Sequence, residues 1–275
     1  MNIRKRILPP GWYPDSKSDV LEILKKWEKT EVSNPEILPT AGIVPHAGWG
    51  FSGETAFNVF RHFPDTIETF VVIGGHLPPG SPPLAFMEEG FETPLGDIFS
   101  DTDLLRSINK GNPFIPDTTA DNTIEIQLPI IKYLFPDSRI VGIRTPPSRS
   151  SEKIGKNIFN ICRNSGKRIG VIGSTDLTHY GYPYGFTPMG TGKTAEEWVR
   201  NKNDRDIIQA LLSMDANSVI SLANKKKAAC SAGGATAAVS FAVEAGVKKG
   251  ILLDYHTSSD ISRSDSFVGY AGVLF

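Results

Sequence analysis

Short apolar, β-branched runs alternate along this chain with stretches whose apolar residues recur every three or four positions. That alternation predicts an α/β fold with a central, mostly parallel or mixed sheet flanked by helices. Strands are predicted over 40–44, 68–73, 139–144, 167–172, 250–253 and 266–275, with 68–73 apolar enough to be central. Helices are predicted over 19–28, from Ser52 (as N-cap) to about 62, over 193–214, 216–224 and 235–244. The run 123–134 reads as a helix bent at Pro129, and 76–96, rich in Pro and Gly, as a long functional loop with an edge hairpin. No repeat, low-complexity tract or linker interrupts the pattern, so all 275 residues are expected to form one domain.

Composition narrows the class. A 40% apolar and 21% charged chain with net charge −1 is that of an ordinary soluble protein, with no broad field to attract nucleic acid or an anionic membrane. The basic run Arg4-Lys5-Arg6 reads as a solvated tail. No apolar run is long enough to span a bilayer. Two cysteines, Cys162 and Cys230, are too few for a disulfide framework, and no segment reads as a secretory signal, so a cytoplasmic location is expected.

Three of the five histidines follow predicted strands: His46 in Val-Pro-His-Ala-Gly, His76 in Gly-Gly-His, and His179 in Ser-Thr-Asp-Leu-Thr-His-Tyr-Gly. In open α/β sheets ligands bind beyond the carboxyl ends of strands, and imidazole is the commonest metal ligand, so one shared metal pocket is expected. Asp176, three residues before His179, is placed to orient it as a general base. Cys230 precedes an Ala-rich helix whose N-terminus favours thiolate, the form that binds metal, although a small buried packing residue is the plainer reading. Cys162 fits a helix's apolar face, and His62 a surface helix exit. Asp121 reads as a cap, while Glu125, Asn122 and His256 are candidates for outer positions around the site. Two histidines plus one anionic ligand is the pattern of mononuclear Fe(II) oxygenases, and zinc and copper accept similar donors.

In order and wording, the segments Val44-Pro45-His46-Ala47-Gly48, Ile73-Gly74-Gly75-His76, Asn122–Glu125, Ser174 to Gly181, Cys230-Ser231-Ala232-Gly233 and Asp254-Tyr255-His256-Thr257 resemble the Memo family, proteins related to class III extradiol dioxygenases. The resemblance runs collinearly over nearly the whole chain. It implies a fold like the dioxygenase catalytic subunit, metal ligands His46, His76 and Cys230, and catalytic His179 and Asp176. Iron is the implied metal, with copper or zinc as alternatives, and a small, aromatic substrate is the implied partner. It also implies radical-SAM and AMMECR1-like partner proteins, from the grouping called AmmeMemoRadiSam. The chain departs from the family pattern in three places. A histidine is missing near Gly11, another is replaced by Asn122, and the glycine-rich segment before His76 is shortened. A redox enzyme and a non-catalytic metal- or peptide-binding scaffold are both compatible with this pattern.

Overall fold

The computed structural model describes residues 1–32, 35 and 37–275. Among the described residues, six of the nine strands of the main sheet are longer than two residues: β1 (Ala41–Val44), β2 (Thr69–Gly74), β3 (Arg139–Arg144), β4 (Ile169–Ser174), β5 (Ile251–Thr257) and β6 (Phe267–Leu274). Four of them run parallel in the spatial order β1-β4-β2-β3. β6 joins β1 antiparallel, and its start pairs with the short strand His179–Tyr180, while β5 lies antiparallel along β6. The sheet is therefore mixed around a parallel centre, as the alternating pattern predicted.

Side chains of a strand point alternately to its two faces, and both faces here are covered. Val71 and Ile73 join one apolar cluster with Ile43, Val171 and the helices Arg149–Ser165, Asp204–Leu212 and Ala232–Glu244. Phe70 and Val72 join a second with Val44, Ile172, Trp27, Phe57 and Phe60, under the helices Lys17–Glu28 and Trp49–Phe60. Burial on both sides is why β2 reads as an unbroken apolar run rather than an alternating one.

Several local expectations are corrected. Ser52 does not cap a helix; the helix begins at Trp49 after Gly48, and the Ser52 hydroxyl donates to the Ala47 carbonyl. Residues 123–134 form two short helices, Asn122–Glu125 and Leu128–Leu134, and Pro129 sits in the first turn of the second, where its missing N–H costs nothing. The predicted 193–214 helix is observed as one continuous helical run from Lys193 to Leu212, the unforeseen feature being a π-helical turn, Val199–Asn203, between Lys193–Trp198 and Asp204–Leu212. The hairpin expected within 76–96 pairs Gly90–Phe91 with Ile98–Phe99, but in a separate three-stranded sheet completed by Ile3–Arg4. That same sheet overturns the solvated-tail reading of Arg4, whose guanidinium donates to Glu88 and to the Asp117 carbonyl, both at 3.0 Å, and lies over the Phe86 ring. Among the described residues no helix is long and apolar enough to cross a membrane.

Candidate metal centre

β1, β4 and β2 are adjacent and in level register, Val44 opposite Ser174 and Ile73 opposite Gly173. Each delivers a polar residue two positions past its last strand residue: His46, Asp176 and His76. Neighbouring strands lie about 4.8 Å apart, so this common offset gathers the three side chains at one sheet edge. His179 arrives from the same connection as Asp176. Leu177 N–H donates to the Gly269 carbonyl (2.8 Å) and Gly269 N–H to the Thr178 carbonyl (3.0 Å), which locks the turn onto β6.

Cys230 comes from the other direction, just before the helix Ala232–Glu244. Its position depends on close approach of backbone to backbone. A Cβ at Gly234 would overlap the Ile73 carbonyl oxygen, and one at Gly75 would overlap the Ser231 hydroxyl. With hydrogen atoms there instead, the helix start presses onto the ends of β2 and β4, and Cys230 N–H donates to the Asp176 carbonyl at 3.2 Å.

The ligand-type atoms of His46, His76 and Cys230 lie within 4.8 Å of one another, and so do those of Asp176, His179 and Cys230. Cys230 belongs to both groups. His46 Nε2 is 3.2 Å from the Cys230 sulfur, while its Nδ1 meets the Ser174 hydroxyl at 3.1 Å. His76 Nδ1 meets Asp121 at 2.9 Å, so its other ring nitrogen is the one left for the Cys230 side. An imidazole held through one nitrogen by a hydroxyl or carboxylate, with the other nitrogen turned to a shared point, is how metal-binding histidines are oriented. The buried Nε2 of His179 makes no hydrogen bond, and its distance to Asp176 is 3.7 Å. Two imidazoles and a thiolate are a donor set suited to iron, copper or zinc, and the orphaned His179 nitrogen lies beside them. His76 itself has φ 58°, a left-handed conformation that a non-glycine residue adopts at a cost and that recurs at functional sites.

Charge explains why these groups stay together. Burial disfavours charge on His46, His76 and His179, but Asp176, Asp121 and the Cys230 sulfur outweigh it and raise all three imidazoles. Burial likewise pushes the Cys230 thiol up, and the surrounding imidazoles reverse this, holding it well below its ordinary value. Cys162, in the apolar core with no such neighbours, is pushed up by burial to about 12. The surroundings of Cys230 thus favour its thiolate form, whereas those of Cys162 favour the neutral thiol.

The other predicted residues separate. Asn122 lines the cavity and donates to the His46 carbonyl at 2.8 Å, so it shapes the first turn after β1. Glu125 turns away to accept from the Ile7 and Leu8 N–H groups and the Tyr13 hydroxyl, tying down the N-terminal segment. His256 also points elsewhere, held by Asp254 (3.0 Å) and the Phe51 carbonyl (2.9 Å) in a groove of about 740 Å³ whose lining does not include His46, His76 or Cys230. Its strand placement suggested the site, but β5 lies outside β6 and carries it past. Asp121 serves both as a cap, with Oδ1 on Thr123 N–H, and as the anchor of His76 and partner of Arg144 through Oδ2. Gln127, donating to the Pro45 carbonyl at 2.8 Å, has no signal in sequence.

Above the cluster is a cavity of about 490 Å³, with Trp12, Phe51, Tyr184 and Tyr270 as aromatic walls and Ser258, Ser262, Ser264 and Ser266 along one side.

The turn carrying His179 rests on a buried acid. Asp204, fully enclosed beside the π-helical turn, accepts from Thr178 N–H (3.1 Å) and the Tyr255 hydroxyl (2.9 Å). Burial dominates these bonds and raises its carboxyl to about 6. The folded protein therefore holds this proton more tightly than the unfolded chain does. The resulting stability is complete below about pH 4 and is lost as pH rises through about 6, by roughly 2–3 kcal/mol. Urea unfolding of the wild type and Asp204→Asn from pH 4 to 7 should show the stability difference between them shifting by that amount. A difference constant across the range would contradict it.

A family model described as Memo-like protein matches residues 6–274. The chain is 33% identical over 291 residues to a MEMO1 family protein of Thermococcus onnurineus, covering 99% of both chains. It is 33% identical over 294 residues to one of Pyrococcus furiosus (99% of this chain, 98% of that one) and 29% identical over 270 residues to one of Archaeoglobus fulgidus (96% of each). The mixed α/β architecture is the dioxygenase-like fold that this match carries. From its strand-end histidines to its last strand, this chain belongs to the Memo-like family.

Proposed function

We propose that this protein is a metal-dependent redox enzyme of the extradiol-dioxygenase type, holding iron through His46, His76 and Cys230. The observation that supports it most is the pair of externally anchored imidazoles converging with a thiolate at a strand-end cavity, beside a separate carboxylate–imidazole pair. Bound metal would supply Lewis-acid and redox chemistry. The remaining work falls to the chain. The aromatic walls suit a flat, aromatic substrate, and the serine side can accept or donate to its hydroxyls. His179 lines the same cavity, its charged form favoured by Asp176 and Cys230, and is placed to return a proton to the substrate or take one.

Oxygen uptake by the anaerobically purified, Fe(II)-loaded protein with a panel of catechols tests this. Uptake is expected, and His179→Gln should slow it about a hundredfold with metal content unchanged. No uptake with any catechol would overturn the enzyme reading. A thiolate where such oxygenases carry a carboxylate favours softer metals, and that observation supports a second reading, a copper- or zinc-binding, non-catalytic scaffold. The radical-SAM and AMMECR1-like partners are proposals of the same standing, to be tested by co-purification, as is a cytoplasmic location.

A further inference from the structure

Two cavities meet at His179 and Tyr184. The larger, above the cluster, is lined by His46, His76 and Asp176 but not by Cys230. The smaller, about 300 Å³, shares His179 and Tyr184 and is completed by Leu177, Ala223, Lys227, Ala229 and Cys230. Cys230 keeps part of its surface exposed, whereas His46 is 1% exposed. The thiolate is therefore reached from a different side than the histidine ligands.

The lining of the smaller cavity has a consistent chemistry. Ala223 and Ala229 leave space that a longer side chain would fill. Among the described residues none of its lining side chains is a carboxylate, Asp176 lying within 4.8 Å of the Cys230 sulfur but lining the larger cavity, and the lining includes one ammonium, that of Lys227. Lys227 ends the helix Ala216–Lys226 in a left-handed conformation (φ 50°), and its Nζ lies 3.4 Å from the Gly185 carbonyl and 5.4 Å from the centre of the Phe186 ring. Lys227 is exposed and is one of the residues lining the smaller cavity, so its charge lies at that side of the cluster. Tyr184 and His179 are the other lining residues with polar side chains besides Cys230.

We infer that this smaller cavity is a second port to the centre, admitting small anions, such as a carboxylate or another oxyanion of a few atoms, to the Cys230 sulfur. An organic molecule in the larger cavity would leave this route open. The two cavities then bring two reactants, or a substrate and an anionic inhibitor, to opposite sides of one cluster. This holds whether or not the centre consumes dioxygen.

The native thiol provides the test in full-length protein cleared of metal with a chelator. Two ethyl methanethiosulfonates of similar size are compared, one bearing a sulfonate and one a trimethylammonium group. In each case the thiolate attacks the reagent's sulfenyl sulfur, a mixed disulfide forms and methanesulfinate leaves. Rates at Cys230, read by mass spectrometry and divided by each reagent's rate with 2-mercaptoethanol, are expected to favour the anionic reagent. The nearby imidazoles contribute to that preference, so the decisive comparison is Lys227→Glu, which should shift the ratio about tenfold toward the cationic reagent. Ala223→Leu should slow both reagents about tenfold, and Ser264→Trp, in the larger cavity, should slow neither. A charge ratio indifferent to Lys227, or slowing by Ser264→Trp and not by Ala223→Leu, would overturn the inference. Lys227 is exposed, so its variant remains informative if Ala223→Leu fails to fold.

Discussion

Cys230→Ser is expected to weaken binding of iron or copper by at least about a hundredfold while leaving the fold intact. Serine nearly matches cysteine in volume, but its hydroxyl stays protonated at neutral pH and is a poor ligand. The substitution also changes the histidines. The thiolate is one of the groups that raise His46, His76 and His179, so without it all three give up their protons more readily. Loss of affinity would then occur although fewer protons must be displaced, which separates loss of a ligand from a change in protonation. Competition with a chromophoric chelator at several pH values measures this. Affinity within threefold of the wild type would remove Cys230 from the ligand set.

Asp176→Ala should be the most destabilising single change in the site, by about 3–5 kcal/mol, the range for breaking a buried charged group away from its partners. Its side chain is 5% exposed, and its carboxylate accepts the His46 N–H at 2.7 Å and lies 3.9 Å from His46 Nε2 and 3.7 Å from His179 Nε2. Removing it strands a buried backbone donor and leaves two imidazoles without their shared counter-charge. Burial alone would raise the Asp176 carboxyl; His46 and His179 hold it below the ordinary carboxylate range instead. Its contribution is thus present above about pH 4 and disappears as pH falls through the folded-state value. Asp176→Asn retains an acceptor for the His46 N–H and should recover part of the loss. Chemical denaturation of both variants at pH 7 tests the claim; an Asp176→Ala cost below about 1 kcal/mol would refute it.

Much of the site was legible because strand ends are legible. His46, His76 and Asp176 each stand two residues beyond an apolar run, and parallel neighbours in level register convert that sequence offset into spatial proximity. What sequence could not show was which strands are neighbours, and this is why His256, with an equally suggestive strand context, falls in another groove. Cys230 was ambiguous because its charge state depends on three imidazoles contributed by distant segments, whereas the helix start beside it would suit a packing residue equally well. Asp121 was read as a cap, correctly but incompletely, since one carboxylate oxygen serves Thr123 while the other serves His76. Glu125 shares a motif with Asn122, yet they diverge, because the short helix they occupy turns one toward the N-terminal segment and the other toward the cavity. The π-helical turn within the 193–214 helix was not legible because its residues after Val199 (Arg200, Asn201, Lys202 and Asn203) are polar, leaving no apolar spacing from which a changed repeat could be read.

X-ray absorption at the metal edge of the iron-loaded protein tests the central claim most directly. Ligation by His46, His76 and Cys230 predicts imidazole scattering together with one sulfur at about 2.3 Å, a distance typical of metal–thiolate bonds, and loss of that sulfur in Cys230→Ser. A spectrum without sulfur, or one unchanged by the substitution, would contradict it.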